Sequence, residues 1–585
     1  MKVLSFDFVV VGGGMSGLCA AIAAARHGAK TALIHARPML GGNAGSEIRM
    51  HICGADYHMT RPNARETGII EEILLEHKKS NPTNSYAIFD SILWGKAAFC
   101  KNLTLFLNTC VDGANVENGR VIGVTAYQQT TEKRMSFTAP LFADATGDGS
   151  IGAWSGADYT VGREGKDTYG EPHAPNIADN YTMGSSLMFK ARDTGRPVPF
   201  IKPEWANTYT EYDLRRRIHD DITSGYWWIE LGGKTYNTIS DAEILRDELL
   251  KIVYGVWDHI KNGGDHGAQN MELEWVGMLP GKRESRRLLG DYVLCENDCV
   301  EGKRFEDAVA YGGWPMDIHT VGGFLNDGDD PTVWIKLKDV YTIPYRCFYS
   351  RNISNLFICG RIISASHMAF ASARVMATCA VGGQAVGTAA AIAIKKKILP
   401  RDVGKHIIEL QQTLLKDDCY IPGVINEDPD DLLRMAQATA SSAIEGCGAE
   451  NVLNGIARTV GINMNCWAAK EEDEPVLTIK MNKAASVSKV HLTFDSNLSR
   501  EITISINQEV IERQSVGTPP ELVKKCRLIF KRNGQCVYKQ ELDENYQRHC
   551  IIDLGKPIIC DTIKLEDIQT YGSSIIRVFE MRAYA

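Results

Sequence analysis

The chain has 585 residues, 44% hydrophobic and 23% charged, with 53 Gly and 20 Pro; this excludes a fibre or a disordered polymer and calls for two or three domains. A formal net charge of −8 argues against an electrostatic nucleic-acid binder, which would carry a basic face. The 16 Cys show no CxxC and no regular spacing, so they read as buried thiols in a reducing compartment, and with no clustered ligands no metal site is expected.

At the amino end, Lys2 is soon followed by Asp7, and the apolar run Phe8–Val11 leads straight into glycines. That run reads as a buried strand rather than a secretory leader, so a cytoplasmic enzyme is expected, with export after leader removal as the alternative. Gly12-Gly13-Gly14-Met15-Ser16-Gly17 then opens an Ala-rich helix that Gly28 stops, and Ala29–His35 is a second strand. This is the strand–turn–helix–strand setting of a dinucleotide fingerprint. Gly12 permits the tight turn, Gly14 the approach of a pyrophosphate, and Gly17 close helix–strand packing, with the helix N-terminus at Met15 and Ser16 facing the phosphates. The acidic residue expected at the end of the second strand is replaced by His35, assigned to a ribose hydroxyl, with Arg37 near phosphate.

Further on, Leu40-Gly41-Gly42-Asn43-Ala44 is a small-residue loop, followed by Ser46, Arg49 and His51. Leu141–Asp144 reads as a strand ending in the turn Ala145-Thr146-Gly147-Asp148. Residues 156–344 are richer in Trp, Tyr and charge and read as an inserted α+β substrate or cap domain. Within them, Lys282–Arg287 is a short basic stretch, read as a solvated or substrate-facing helix whose Arg283, Arg286 and Arg287 are candidates to grip a carboxylate. Asp317 and His319, two apart on an extended segment, share a face, so Asp317 is placed to orient His319 for proton transfer. Asn355–Ile358 is a last short strand ending in Gly360-Arg361, and His367 and Arg374 follow it as candidates to polarise a substrate oxygen or carry its proton. Cys379–Ile394, rich in Gly and Ala, reads as a tightly packed core helix and not a membrane span.

Residues 401–436 read as helix and linker. From 437 to 585 short alternating runs appear at 476–479, 490–494, 502–506, 550–554 and 575–578, the pattern of an all-β sandwich.

Taken together, Arg37–Asn43, Ser46–His51, Asp144–Gly149, Ile343–Arg346 and Ser364–Met376 resemble the FAD-dependent oxidoreductase family, among glutathione-reductase-like and succinate-dehydrogenase-like flavoproteins. The resemblance implies an α/β Rossmann-type FAD-binding domain from 1–155 and 345–400. It also implies FAD contacts at Gly41, Gly42, Asn43, Ser46, Arg49, Ala145, Thr146, Gly147, Asp148, Gly360, Arg361, Gly383, Gln384 and Ala385, the last three at the start of a helix aimed at the flavin. The catalytic candidates are His367, Arg374, His319, Asp317 and Arg49. The carboxyl-terminal part, from Ala438–Ser442 to Ile576–Glu580, is similar to galactose-binding-type jelly rolls. The reading is therefore hydride transfer between flavin N5 and a small molecule, a carbohydrate-related alcohol being one class. A fumarate-reductase-like action on an unsaturated organic acid, a tRNA-modifying flavoprotein and a glycan-binding protein with vestigial flavin are the alternatives. Electron acceptor and self-association, including a homo-oligomer, are left open.

Overall fold

The computed structural model describes residues 2–264 and 266–585. The chain divides into two compact units: Met1–Tyr57, Asn84–His406 and Thr503–Arg513 form the first, and His58–Thr83, Ile407–Ile502 and Gln514–Ala585 the second.

The first unit is built on five parallel strands, in sheet order Leu356–Ile358, Leu141–Asp144, Phe8–Val11, Thr31–Ile34 and Leu103–Phe106. Numbered along the chain this order is 5-4-1-2-3. Winding therefore reverses between Phe8–Val11 and Leu141–Asp144, and parallel sheets open a ligand crevice at the carboxyl ends of such a pair. The ends are level there, with Val11 opposite both Ile34 and Asp144. Val9 and Val11 pack with Val111, Val124, Phe137 and Phe142 in one core. Part of that core comes from a four-stranded sheet that orders Lys2–Ser5, Lys133–Thr138, Arg120–Gln128 and Thr109–Glu117. Phe8 and Val10, on the alternate side of their strand, are equally buried.

Helix Met15–Arg26 packs along helix Met376–Lys396. The contact is close because a Cβ on Gly383 would stand 2.1 Å from the Ser16 carbonyl oxygen, and one on Gly387 would stand 2.0 Å from that of Ala20. Met376–Lys396 is long and apolar enough to cross a membrane, but 89% of its apolar window is buried inside the protein. The middle region forms a core of its own from Phe189, Trp228, Leu249, Val253 and Trp257, around helix Ala242–Asp258 and the paired strands Phe189–Asp193 and Met271–Val276. The basic stretch at 282–287 is not a helix: it runs extended between short strands Gly281–Lys282 and Arg287–Leu288, with Arg283, Glu284 and Arg287 buried.

The second unit is an antiparallel seven-stranded sheet. It includes Trp467–Lys470, Leu477–Phe494, Val523–Arg532, Gln535–Leu542, His549–Thr570 and Ile575–Tyr584 around Trp467, Ile479, Leu492, Phe530 and Val578. The runs at 476–479 and 490–494 are two ends of one strand, bent by register shifts between Lys480 and Ala485 and between Val487 and Lys489. The run at 502–506 forms no strand, and Thr503–Arg513 belongs to the first unit. Thr503 and Ser505 are buried like their apolar neighbours, and the Ile52 amide donates to the Thr503 hydroxyl at 3.0 Å, so the alternation does not mark a polar face. The first strand of this sheet is Gln437–Ala440, and the compact unit also takes in helices Ile407–Lys416 and Ile69–Ser80.

Candidate cofactor cradle and active site

The glycine turn is built so that only glycine fits it. Gly12 has φ +114°, and a Cβ there would lie 2.1 Å from the Ala145 carbonyl oxygen; one on Gly17 would lie 1.9 Å from that of Gly12. At Gly14, by contrast, the nearest atom to an added Cβ is the Gly42 Cα at 3.9 Å, an ordinary contact distance, so this position alone is not crowded by the turn. The Gly41–Gly42 loop lies on the turn, with the Gly41 amide donating to the Gly13 carbonyl at 2.8 Å. The helix that starts at Met15 leaves its first-turn amides without helical partners beside this turn. The buried Ser16 hydroxyl has no oxygen or nitrogen partner among the described residues; the Cys359 thiol lies beside it.

Two guanidinium groups border the same turn. Arg37 pairs with Glu47 at 3.2 Å, and its pKa is lowered by burial, with Arg361 nearby adding to the effect. Arg361 donates to Asp148 at 3.1 Å and packs over Gly147, where a Cβ would meet the guanidinium carbon at 2.8 Å. Two guanidinium groups, each paired with a carboxylate, thus lie beside the first-turn amides and a buried hydroxyl, a set of donors that would fit a dinucleotide pyrophosphate.

His35 has a different task from the one expected. Its Nδ1 accepts from the Gly13 amide at 3.0 Å, and its Nε2 donates to the Met39 carbonyl at 2.9 Å. Both ring nitrogens are used, so His35 fastens the glycine turn and has none left for a ribose. Burial, reinforced by Arg37, lowers its pKa from 6.5 to about 4, which keeps the ring neutral and Nδ1 an acceptor.

Gly383, Gln384 and Ala385 also fall elsewhere. The helix begins at Met376, so they sit inside it, with Gly383 in the seam against Ser16. Arg49 takes a left-handed backbone (φ 62°) and lies over the Trp275 and Tyr86 rings at 4.2 and 5.1 Å. Among the described residues it has no bond to the histidine networks below. The Ser46 amide donates to Asp90, Asn43 to the Lys282 carbonyl, and Thr146 to Asp144. These residues brace the loops around the turn.

The extended segment 282–287 leads from this cradle into two buried histidine networks. Lys282 and Ser285 donate to Asp148 at 2.6 and 2.8 Å. Arg283 faces Glu230 at 3.4 Å, and Glu284 faces His367. Neighbouring amides hold the two carboxylates: Met183 donates to Glu284 at 2.8 Å and Gly184 to Glu230 at 2.5 Å.

In the first network His319 lies between Glu230 (Nδ1, 2.5 Å) and Asp317 (Nε2, 3.1 Å), and Arg374 donates to Asp317 at 2.9 Å. Burial opposes ionisation of Glu230, but Arg283 and His319 outweigh it and hold its pKa at about 2. Asp317 is likewise held well below the usual carboxylate range, against burial, by His319 and Arg374. Each ring nitrogen of His319 thus faces a carboxylate, and neither is free to take a substrate proton. Sequence spacing pairs Asp317 with His319 for proton transfer; Glu230, 89 positions away, takes the second ring nitrogen and removes that role.

In the second network His367, the first residue of helix His367–Ala373, has Nδ1 3.0 Å from Glu284. Its Nε2 makes no hydrogen bond to protein among the described residues. Glu284 also binds Arg287, which reaches Glu164 at 2.7 Å, and the His367 amide donates to Glu164 at 2.8 Å. Burial opposes the charge on Glu284, but His367 and Arg287 hold its carboxyl below the ordinary range. With Nδ1 taken by Glu284, Nε2 is the ring nitrogen left without a protein partner among the described residues.

Among solved structures, the chain is similar to the family 32 carbohydrate-binding module of C. perfringens NanJ, determined with galactose, at 20% identity over 27% of this chain and 98% of that one, with a TM-score of 0.20. The family 32 module of Streptococcus pneumoniae EndoD gives 17% identity over 26% and 98%, with a TM-score of 0.21. A family match covers residues 7–414, from the first strand of the parallel sheet past the helix that packs on Ser16, and the chain belongs to the FAD dependent oxidoreductase family.

Proposed function

We propose that this FAD-dependent oxidoreductase binds its cofactor across the switch point of a Rossmann-type sheet, under a cap formed by the middle region, and oxidises a small-molecule alcohol. Gly12, Gly14, Met15, Ser16 and Gly17 would hold the pyrophosphate, with Arg37 and Arg361 balancing its charge. Bound FAD would supply a two-electron hydride acceptor.

The chain's own part is to move a proton. The observation that carries this reading is His367, whose Nδ1 is fixed on Glu284 while Nε2 stays open. When a substrate carbon gives up its hydride, Nε2 takes the hydroxyl proton, and Glu284 stabilises the imidazolium that results. Arg287 and Glu164 keep Glu284 and His367 in place. The β unit, similar in sequence to galactose-binding-type jelly rolls, favours a carbohydrate-related alcohol.

A second reading, action on an unsaturated organic acid, is favoured by one observation. Arg283 and Arg374 are brought together beside Glu230 and Asp317, and the buried Arg374 Nε has no partner among the described residues.

Anaerobic mixing of purified holoenzyme with sugars, glycosides and hydroxy acids tests the first reading, with bleaching of the flavin band as the expected result. Reoxidation of dithionite-reduced enzyme by an unsaturated acid, with no alcohol bleaching the oxidised form, would replace the first reading with the second.

A further inference from the structure

Away from the cradle, in the middle region, three imidazoles and one carboxylate converge. Glu211 and His219 lie on the segment before Thr223, His259 opens the π-helical turn His259–Gly263 that ends helix Ala242–Asp258, and His266 lies just beyond it. Their ligand atoms all lie within 4.8 Å of one another. The Nε2 atoms of His259, His266 and His219 stand 3.1, 3.3 and 3.5 Å from one oxygen, Glu211 Oε1, and the first two are 3.2 Å apart. The three rings surround a common point, with centroids 5.0, 5.1 and 5.3 Å apart.

These distances have a simple geometric meaning. Ligands bound tetrahedrally at about 2.0–2.1 Å, as nitrogen and oxygen bind zinc, are separated by about 3.3–3.4 Å. The four measured edges scatter around that value. Hydrogen bonding alone explains the arrangement poorly: two Nε2 atoms at 3.2 Å share at most one hydrogen between them, yet both also point at the same carboxylate oxygen. A cation at the centre satisfies all four ligands at once.

The surroundings already orient one ligand as a metal site requires. His219 donates from Nδ1 to the Arg217 carbonyl at 2.5 Å, which leaves the Nε2 lone pair directed inward. Arg217 is itself fixed, donating to the carbonyls of Asn326 at 2.7 Å and Gly323 at 3.2 Å. His219 and His259 are buried, while Glu211 lies at the solvent edge and provides a way in.

We propose that Glu211, His219, His259 and His266 form a tetrahedral site for a zinc-class divalent cation that ties the segment around 211–219 to the end of helix Ala242–Asp258. This departs from the sequence reading, which expected no metal. The ligands arrive from two separate stretches with no characteristic spacing, and only the folded chain brings them together.

The test is metal content, which does not depend on flavin chemistry. Full-length protein without a polyhistidine tag is stripped with EDTA, dialysed against Zn2+ alone, then against metal-free buffer, and analysed for zinc. About one Zn2+ per chain is expected in the native protein, with at least a tenfold loss of affinity in His266→Gln and His219→Gln. His266→Gln, at the half-buried position, keeps the test valid where a buried substitution impairs folding. Failure of the native protein to retain Zn2+, or equal retention by native protein and His266→Gln, overturns the proposal.

Discussion

Replacing one helical glycine by alanine at two positions should change stability in opposite directions. Gly95, in helix Tyr86–Ala98, has nothing within 4 Å of an added Cβ, so Gly95→Ala should gain the intrinsic helix preference of alanine, about 1 kcal/mol. Gly387→Ala gains the same propensity, but its Cβ would stand 2.0 Å from the Ala20 carbonyl oxygen, against the 3.0 Å below which real contacts essentially never fall. The helices must part by about 1 Å, enough to forfeit a quarter to a half of each contact's attraction along the seam. Overpacking of a tight interior costs about 1–3 kcal/mol, and a clash with backbone, which cannot rotate away, belongs at the upper end. Net of propensity, Gly387→Ala should destabilise by about 2 kcal/mol. Gly383→Ala, which meets the Ser16 carbonyl at 2.1 Å, should also weaken FAD retention, because Ser16 lies in the first turn of the cradle helix. The assay is urea unfolding of the full chain, followed by tryptophan fluorescence, with flavin retention measured separately. Gly387→Ala as stable as the native protein would refute the seam, and Gly95→Ala destabilising as much as Gly387→Ala would show that the difference in packing does not decide the outcome.

His367→Gln should slow substrate-driven flavin reduction by about 10²–10⁴-fold while leaving FAD content unchanged, and a native rate would remove His367 from the reaction. Acid should release FAD through His35, whose folded pKa of about 4 lies below its ordinary 6.5. The unfolded chain takes up this proton first, so stability contributed here is complete above pH 6.5 and declines as pH falls toward 4, where the ring in the folded chain protonates and can no longer accept from Gly13. Flavin fluorescence should rise in that range, and His35→Gln, which does not titrate, should shift or abolish the rise; an unchanged profile refutes the assignment. Glu230 is depressed from 4.5 to about 2, so its contribution is present above pH 4.5 and lost as pH falls toward 2. Breaking this buried network in Glu230→Gln should cost about 3–5 kcal/mol at pH 7 and flatten the acid limb of the stability curve; an unchanged urea midpoint would contradict it.

What the sequence revealed depends on how far apart the interacting groups lie. Gly12–Gly17 was legible because the turn, the helix start and the close approach are settled within a few residues of one another. The hairpin Val523–Arg532 with Gln535–Leu542 was as local and had its own signal: Asn533 and Gly534, both at positive φ, are the dipeptide that favours a two-residue turn. The glycines at 382–387 were visible but ambiguous, since small residues suit a cofactor and a helix crossing equally, and only Ser16 and Ala20 decide between them.

The histidines show where sequence reading ends. Asp317 and His319 were rightly placed side by side, yet the role of His319 turns on Glu230, 89 positions away. His367 was picked for its place after the last strand, and its open nitrogen depends on Glu284, 83 positions away. Glu230 and Glu284 are themselves held by adjacent amides, those of Gly184 and Met183. One backbone segment thus positions two carboxylates that treat their histidines in opposite ways: Glu230, together with Asp317, closes His319 at both nitrogens, while Glu284 closes only one side of His367. The structural difference between the two histidines is the number of ring nitrogens that a carboxylate engages, two in His319 and one in His367, a property that neither residue nor its sequence neighbours carries.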